Sequence, residues 1–414
     1  MAGDLDRDLD RDLDVVLFGA SGFVGRLTAE HLAAHAPAGT RIALAGRSRE
    51  RLAAVARDLG PRAADWPLLV ADAADESSLR RLAESTHVVV STVGPYLRHG
   101  LPLVQACARA GTHYADLTGE VLFVRRSIDA ADETARASGA RIVHSCGFDS
   151  VPSDLAVLLA HEWARAHDAG PLASATLEVL SARGGFSGGT VDSLRLQLDT
   201  ARRDEDARRL VGDPYALSSD RAAEPDLGPQ RDAFRPHRRA ATGDWVAPFV
   251  MASYNTRVVR RSNALLDHAY GPRLRYAEVM AFSGRAAALK AGAVTGVLAG
   301  LTGLLAVGPV RPLLDRLLPA PGTGPSERTR STGRFRLRVD ARTESGRRVA
   351  VTVAAQGDPG YAATAVMLGQ SALSLALDGD RLPDRAGVLT PATGIGTALA
   401  DRLRDRGFTL DVEA

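Results

Sequence analysis

The 414-residue chain predicts an α/β protein: a Rossmann-type doubly wound parallel sheet with a second α+β domain carrying an open sheet. Three observations predict it. Val15-Val-Leu-Phe18 is a short apolar strand that runs straight into Gly19-Ala-Ser-Gly22-Phe-Val-Gly25 and a helix. From there to about residue 145, apolar runs of strand length alternate with stretches of helix length. Beyond residue 170 the pattern shifts to longer, half-buried alternations typical of an open sheet.

Residues 1–14 repeat Asp-Leu-Asp-Arg and read as a disordered charged extension. In the nucleotide-binding domain, 15–168, strands are expected at 15–18, 41–45, 67–71, 87–92 and 141–145. Helices are expected near 24–35, 48–59, 76–84, 100–110 and 121–138. Tyr114 to Glu120 adds a short strand and turn. Pro152 suits the first turn of a helix running to about His167, with Ser150 as its cap. A substrate or dimerisation domain then covers 169–385. It holds a strand at 173–181, a flexible glycine loop at 184–189, a helix from Val191 to Leu210 and surface loops over 212–245. A hairpin follows at 334–340 and 347–355 around Glu344-Ser-Gly346, then a helix from Tyr361 to Leu377. Residues 386–414, with a helix from Gly396 to Arg406, are expected to return to the first domain.

One stretch stands apart. Ala291 to Val310 carries no charge, and Gly292, Gly296 and Gly300 are spaced by four. It is long enough to cross a bilayer. A buried or dimer-interface helix, a lid or peripheral membrane contact for a greasy substrate, and a true span all remain open for it.

Composition narrows the function. A formal net charge of +2 leaves no footprint for nucleic acid. Cys107 and Cys146 are too few for a disulfide framework and suit a reducing cytoplasm, and no signal peptide is visible. Lys290 is the sole lysine, so there is no Gly-Lys-Ser/Thr phosphate loop. A Tyr-x-x-x-Lys catalytic pair is excluded as well, because the residue four places before Lys290 is Ala286. No Cys/His quartet marks a metal site.

The glycine loop carries the chemistry. Gly19 permits a tight turn, Gly22 lets a pyrophosphate approach the backbone, and Gly25 lets helix and strand pack closely. Ala20, Ser21, Phe23 and Val24 complete the cradle, whose helix N-terminus offers free N–H groups to phosphate. After the second strand an NAD site usually places a carboxylate. This chain places Arg47 there, which can hold a 2′-phosphate and points to NADP. Asp72, after the third strand, is placed to contact adenine or to be a solvated loop residue. Thr92, Val93, Gly94 and Pro95, after the fourth, are placed along the nicotinamide riboside. Reduction also needs a proton donor. Tyr96, Cys146 and Asp149 are the candidates chosen, with Tyr114 and bound water behind them.

These residues also resemble a known family. Gly19-Ala-Ser-Gly-Phe-Val-Gly25, Ala45-Gly-Arg47, Ser91-Thr-Val-Gly-Pro-Tyr96, Tyr114-Ala-Asp-Leu-Thr-Gly-Glu120, Cys146-Gly-Phe-Asp-Ser-Val-Pro-Ser-Asp154, Ser187-Gly-Gly-Thr190, Pro321-Gly-Thr-Gly-Pro-Ser326 and Thr390-Pro-Ala-Thr393 carry the resemblance. The chain resembles the saccharopine dehydrogenase-like NADP-binding proteins, and more closely the trans-acting enoyl reductases of actinobacterial polyketide-lipid synthesis. That resemblance implies NADP(H), a second α/β domain, and reduction of a carbon–carbon double bond in an acyl or polyketide thioester, on a carrier protein. It supplies no agreed set of catalytic residues. An imine or carbonyl reductase of a small metabolite, and a non-catalytic NADP sensor that docks to membranes or partners, are the alternatives. A homodimer is expected.

Overall fold

The computed structural model describes residues 11–184, 188–230, 232–239, 243–306 and 324–414. Its first sheet is parallel and has seven strands: β1 (Leu13–Phe18), β2 (Ile42–Gly46), β3 (Leu68–Val70), β4 (Thr86–Ser91), β5 (His113–Asp116), β6 (Arg141–Val143) and, from far along the chain, Gly387–Leu389. The order is Gly387–Leu389, β6, β5, β4, β1, β2, β3. The order reverses at β1, so the crevice between β1 and β4 is where a ligand is bound in such folds. Helices α1 (Phe23–His35), α2 (Arg49–Leu59), α3 (Glu76–Glu84), α4 (Tyr96–Ala110) and α5 (Val121–Ser138) connect the strands. The elements are legible because β1 and β4 carry unbroken apolar runs, Val15-Val-Leu-Phe18 and Val88-Val-Val90, buried on both faces.

Helix α6 (Val151–Ala166) leads out of this sheet, with Pro152 in its first turn. Ten consecutive residues, Val151 to Ala160, are buried, as expected of a helix enclosed on all sides. The helix packs within a single hydrophobic cluster that runs from Val15 and Leu17 through Leu155 to Val339 and Val351. Ser150 sits at the cap position but caps nothing with its side chain; its hydroxyl turns to Asn255 Oδ1 at 3.1 Å.

The second sheet also has seven strands and is mixed. It contains β7 (Leu172–Arg183), β8 (His237–Arg238), β9 (Trp245–Pro248), β10 (Arg275–Phe282), β11 (Arg334–Thr343), β12 (Arg348–Gln356) and a last strand, Thr409–Glu413, which pairs with β12. The C-terminal segment therefore serves both sheets. Gly387–Leu389 extends the first through β6, and Thr409–Glu413 edges the second. Asp154 on α6 fastens the return, its Oδ2 accepting from Ala392 N at 2.8 Å at the start of the short helix Pro391–Gly394.

Several expectations shift. Of the charged extension, residues 1–10 lie outside the described residues, while Leu13 and Asp14 already belong to β1. The single helix expected over 191–210 is two, α7 (Gly188–Arg203) and α8 (Glu205–Gly212). Asp204 divides them, because its carboxylate accepts from Asp206 N and Ala207 N and so caps a new helix. Residues 185–187 of the glycine loop lie outside the described residues. The loops expected over 212–245 contain β8 and the start of β9. Helix α9 (Ala252–Leu265) and strand β10 have no counterpart in the sequence pattern. Polar composition hides α9, yet Arg257, Arg260 and Arg261 on it are buried. Arg261 gives its guanidinium to Leu217 O at 2.6 Å and Val388 O at 2.5 Å, so these arginines tie segments together instead of marking a wet surface.

The apolar stretch forms α10 (Ala287–Ala306); residues 307–310 lie outside the described residues. It is not a buried helix. Ala287 and Ala291 pack inward, while Leu289 is 76% and Val297 70% exposed. Among the described residues, the helix long and apolar enough to cross a membrane is Pro359–Leu377, but 72% of it is buried inside the protein. Gln370 on that helix meets His31 of α1 at 2.8 Å, so it is a core helix packed on α1.

Candidate active site

The loop between β1 and α1 has the shape its sequence requires. Gly19 is left-handed (φ 89°), and a Cβ there would lie 2.6 Å from Thr92 Oγ1 and 2.8 Å from Val93 Cγ2. A Cβ on Gly25 would lie 2.2 Å from Gly19 O, which fixes how closely α1 sits on β1. Gly22 is the N-cap of α1 and no side chain caps that helix, so its first N–H groups remain available for an anion. Thr92 bonds back to Gly19 O at 3.1 Å and joins the ends of β1 and β4.

A cavity of about 890 Å³ opens at this junction. Gly22, Phe23, Val24 and Gly25 line it, with Thr92, Gly94, Pro95 and Tyr96. Leu198 and Ala201 of α7, Phe234, and Thr295, Leu298, Ala299 and Gly303 of α10 line it as well. Asp149, Gly119, Met251 and Tyr254 stand in its wall. Among the described residues, no arginine, lysine or histidine lines it.

The structure separates the three candidate proton donors. Asp149 is part-exposed to the cavity, and burial from bulk water pushes its carboxyl up to about 6. Tyr96 also lines the cavity, but its hydroxyl donates to Ser91 O at 2.9 Å and accepts from Leu117 N at 3.2 Å, so its proton is committed to the backbone. Cys146 does not reach the cavity. It is fully buried, its thiol leans on Val143 O at 3.5 Å, and burial raises its pKa. A helix start can activate a thiol, but this one is sealed in the core, so Cys146 is a packing residue. Tyr114 is likewise buried away from the cavity.

The remaining cofactor candidates flank the cavity. Ala20 is buried under the loop, and Val93 packs against Gly19. Ser21 Oγ lies 3.9 Å from the position of a Cβ on Gly46, next to Arg47. Arg47 follows β2 directly, is exposed, and its guanidinium has no partner among the described residues. Asp72 is exposed after β3 and accepts from Ala74 N at 3.0 Å, which makes it a turn-forming residue.

Two acidic residues have roles that the sequence did not disclose. Glu120 is buried and accepts from Tyr96 N at 3.0 Å, Leu97 N at 2.7 Å and Ser193 Oγ at 2.6 Å. It thereby caps α4 from another element and ties α7 to the cavity rim. Asp116, at the end of β5, meets His144 Nδ1 at 2.8 Å and accepts from Ser145 N at 3.0 Å. That capture ends β6 at Val143, two residues earlier than the apolar pattern suggests.

Residues 15–143 match the model of the saccharopine dehydrogenase NADP binding domain. Over nearly the full length, the chain is 50% identical over 408 residues to a trans-acting enoyl reductase of Mycobacterium ulcerans, covering 96% of this chain and 97% of that one. The chain belongs to the trans-acting enoyl reductase family. A trans-acting enoyl reductase of Mycobacterium tuberculosis is 49% identical over 406 residues, with the same coverage. Among solved structures, apo saccharopine dehydrogenase (L-Glu forming) from Saccharomyces cerevisiae superposes with a TM-score of 0.54 at 14% identity, covering 96% of this chain and 99% of that one. At that identity it shows the fold alone. The chain is thus an oxidoreductase with a saccharopine dehydrogenase-type NADP-binding domain. The open helix N-terminus and the bare Gly22 backbone fit that cofactor.

Reversing the charge at Arg47 tests how the extra phosphate is held. Arg47→Glu should weaken NADPH by about 100-fold and NADH by less than about 3-fold, read by fluorescence titration. Equal losses for both would show that another group selects the phosphate.

Proposed function

We propose that the protein is an NADPH-dependent reductase of the carbon–carbon double bond in an acyl or polyketide thioester, acting in trans on a chain delivered by a carrier. The observation that carries this reading is the lining of the cavity: the glycine loop, apolar residues of α7 and α10, and no cationic side chain among its described lining residues. A dicarboxylic amino acid would need cations to hold its carboxylates, and here it would face Asp149, while Asp192 and Asp232 already pair with Arg195 and Arg257. An imine reductase of the saccharopine type is disfavoured for that reason. A neutral acyl chain fits the wall from Leu198 to Leu298 without an unpaired charge.

The glycine loop and α1 hold the pyrophosphate, Arg47 the 2′-phosphate, and Thr92 to Pro95 the nicotinamide riboside. When bound, NADPH supplies a hydride to the β-carbon of the enoyl group. Asp149 supplies the proton that the α-carbon takes up, so the saturated thioester forms with one hydride and one proton added. Phe234 and the cavity face of α10 exclude water and align the chain.

Turnover of NADPH, followed at its absorbance, is the test. Enoyl thioesters should be reduced, with kcat/KM rising as the acyl chain lengthens, whereas ketones and imino acids should be poor substrates. Ala299→Phe should lower kcat/KM for long chains at least about 10-fold, because the added ring narrows the apolar part of the cavity that α10 lines. Tight NADPH binding with silence across the whole panel would instead favour a cofactor sensor.

A further inference from the structure

Tyr254, near the start of α9, ends a chain of buried polar contacts that begins on α5. Ser127 Oγ lies 2.8 Å from His144 Nε2, and His144 Nδ1 lies 2.8 Å from Asp116 Oδ2. The other oxygen of Asp116 accepts from Ser145 N at 3.0 Å and Thr118 N at 3.1 Å. Ser145 is thereby held left-handed, with φ 66°. Its hydroxyl lies 2.5 Å from the hydroxyl of Tyr254. Such a backbone is strained for a serine and persists only where surrounding contacts enforce it. What this arrangement gains is aim. The strained serine fixes the phenol of a residue that is 3% exposed, and Tyr254 belongs to the wall of the same cavity as Asp149.

We propose that Tyr254 donates a hydrogen bond to the carbonyl oxygen of the substrate thioester, and that Ser145 is its positioning residue. This rests on the enoyl reductase reading. When hydride adds to the β-carbon, the π pair of the double bond shifts toward the carbonyl oxygen and an enolate forms. The Tyr254 O–H stabilises that oxygen without losing its proton. The electron pair then returns to make a C–H bond at the α-carbon with the proton from Asp149, and the carbonyl is restored. Either hydroxyl can donate in this contact; in the proposed arrangement Ser145 Oγ donates to the phenol oxygen, which leaves the Tyr254 hydrogen for the substrate. Burial holds the phenol protonated well above its ordinary value, and the charges of Asp116, Glu120 and Asp149 add to this while the Ser145 contact opposes it. A neutral donor aimed where negative charge develops is what such a step requires.

Kinetics on the full chain test it. Tyr254→Phe should lower kcat about 100-fold with KM changed less than about 3-fold and NADPH affinity retained. Ser145→Ala, which keeps the phenol, should lower kcat about 10-fold. The double variant should lose no more than Tyr254→Phe alone, because both act on one hydrogen bond. Wild-type kcat in either single variant would overturn the proposal and leave the enoyl reductase reading intact. A loss of NADPH binding parallel to the loss of kcat would also overturn it, since the role would then be structural. If the wild-type protein reduces no enoyl thioester, both fall together.

Discussion

Gly25→Val is expected to abolish measurable NADPH binding. A side chain at this position meets backbone, not a yielding rotamer: the Cβ alone would lie 2.2 Å from Gly19 O and 2.9 Å from Ala20 Cα. Helix α1 would have to move off β1, and the N–H groups of its first turn would leave the phosphate position. Two charge-assisted hydrogen bonds lost cost about 3 kcal/mol or more, or at least ~100-fold in affinity. Calorimetry reads the loss. Thermal unfolding of the same sample separates it from a collapse of the domain. Gly22→Ala is the gentler companion, because its Cβ would have one close contact, Gly19 O at 3.2 Å. That variant should fold normally and still bind NADPH about 10-fold more weakly, since the added methyl stands on the cradle itself. Unchanged affinity in both variants would remove the phosphate-binding role from this loop.

Asp149→Asn should lower kcat about 100- to 1000-fold, within the range for loss of a general acid. The pH dependence supplies a second readout. A carboxyl raised to about 6 is protonated below that pH and loses its proton above it. The wild-type kcat/KM should therefore fall as pH rises through about 6, and the variant should lack this limb. Stability supplies a third readout. The folded protein holds this proton more tightly than the unfolded chain, so between the ordinary carboxylate range and about 6 it binds more protons, and stability falls as pH rises. Above that window the folded state keeps a poorly hydrated charge, which asparagine does not have. Asp149→Asn should melt about 2 °C higher than the wild type at pH 8 and no higher at pH 4. A variant that retains full turnover would show that the proton comes from water or another group.

The sequence was most readable where one local rule decides the structure. The alternation of β1 to β6 with their helices follows from apolar runs that only a doubly covered sheet can bury. The glycine loop follows from backbone sterics. The second sheet was readable only at β7 and the β11–β12 hairpin, because β9 and β10 lie among charged residues whose partners are distant in sequence. Helix α9 was invisible for a related reason: Arg257, Arg260 and Arg261 look solvated until Leu217, Pro214, Tyr276 and Val388 present carbonyls to them, or Asp232 its carboxylate. Tyr254 gave no signal, since an isolated tyrosine in a polar stretch acquires meaning only when Ser145, 109 positions away, meets its hydroxyl.

The sequence by itself determined the glycine turn between β1 and α1, the parallel sheet behind it and the absence of a catalytic Tyr-x-x-x-Lys pair, because each depends on residues close together in the chain. Tertiary structure alone decided which candidate side chain can do chemistry. Cys146 and Asp149 are three residues apart, yet the thiol is sealed in the core and the carboxyl opens into the cavity. Burial is set by what packs from elsewhere, and no local pattern records it.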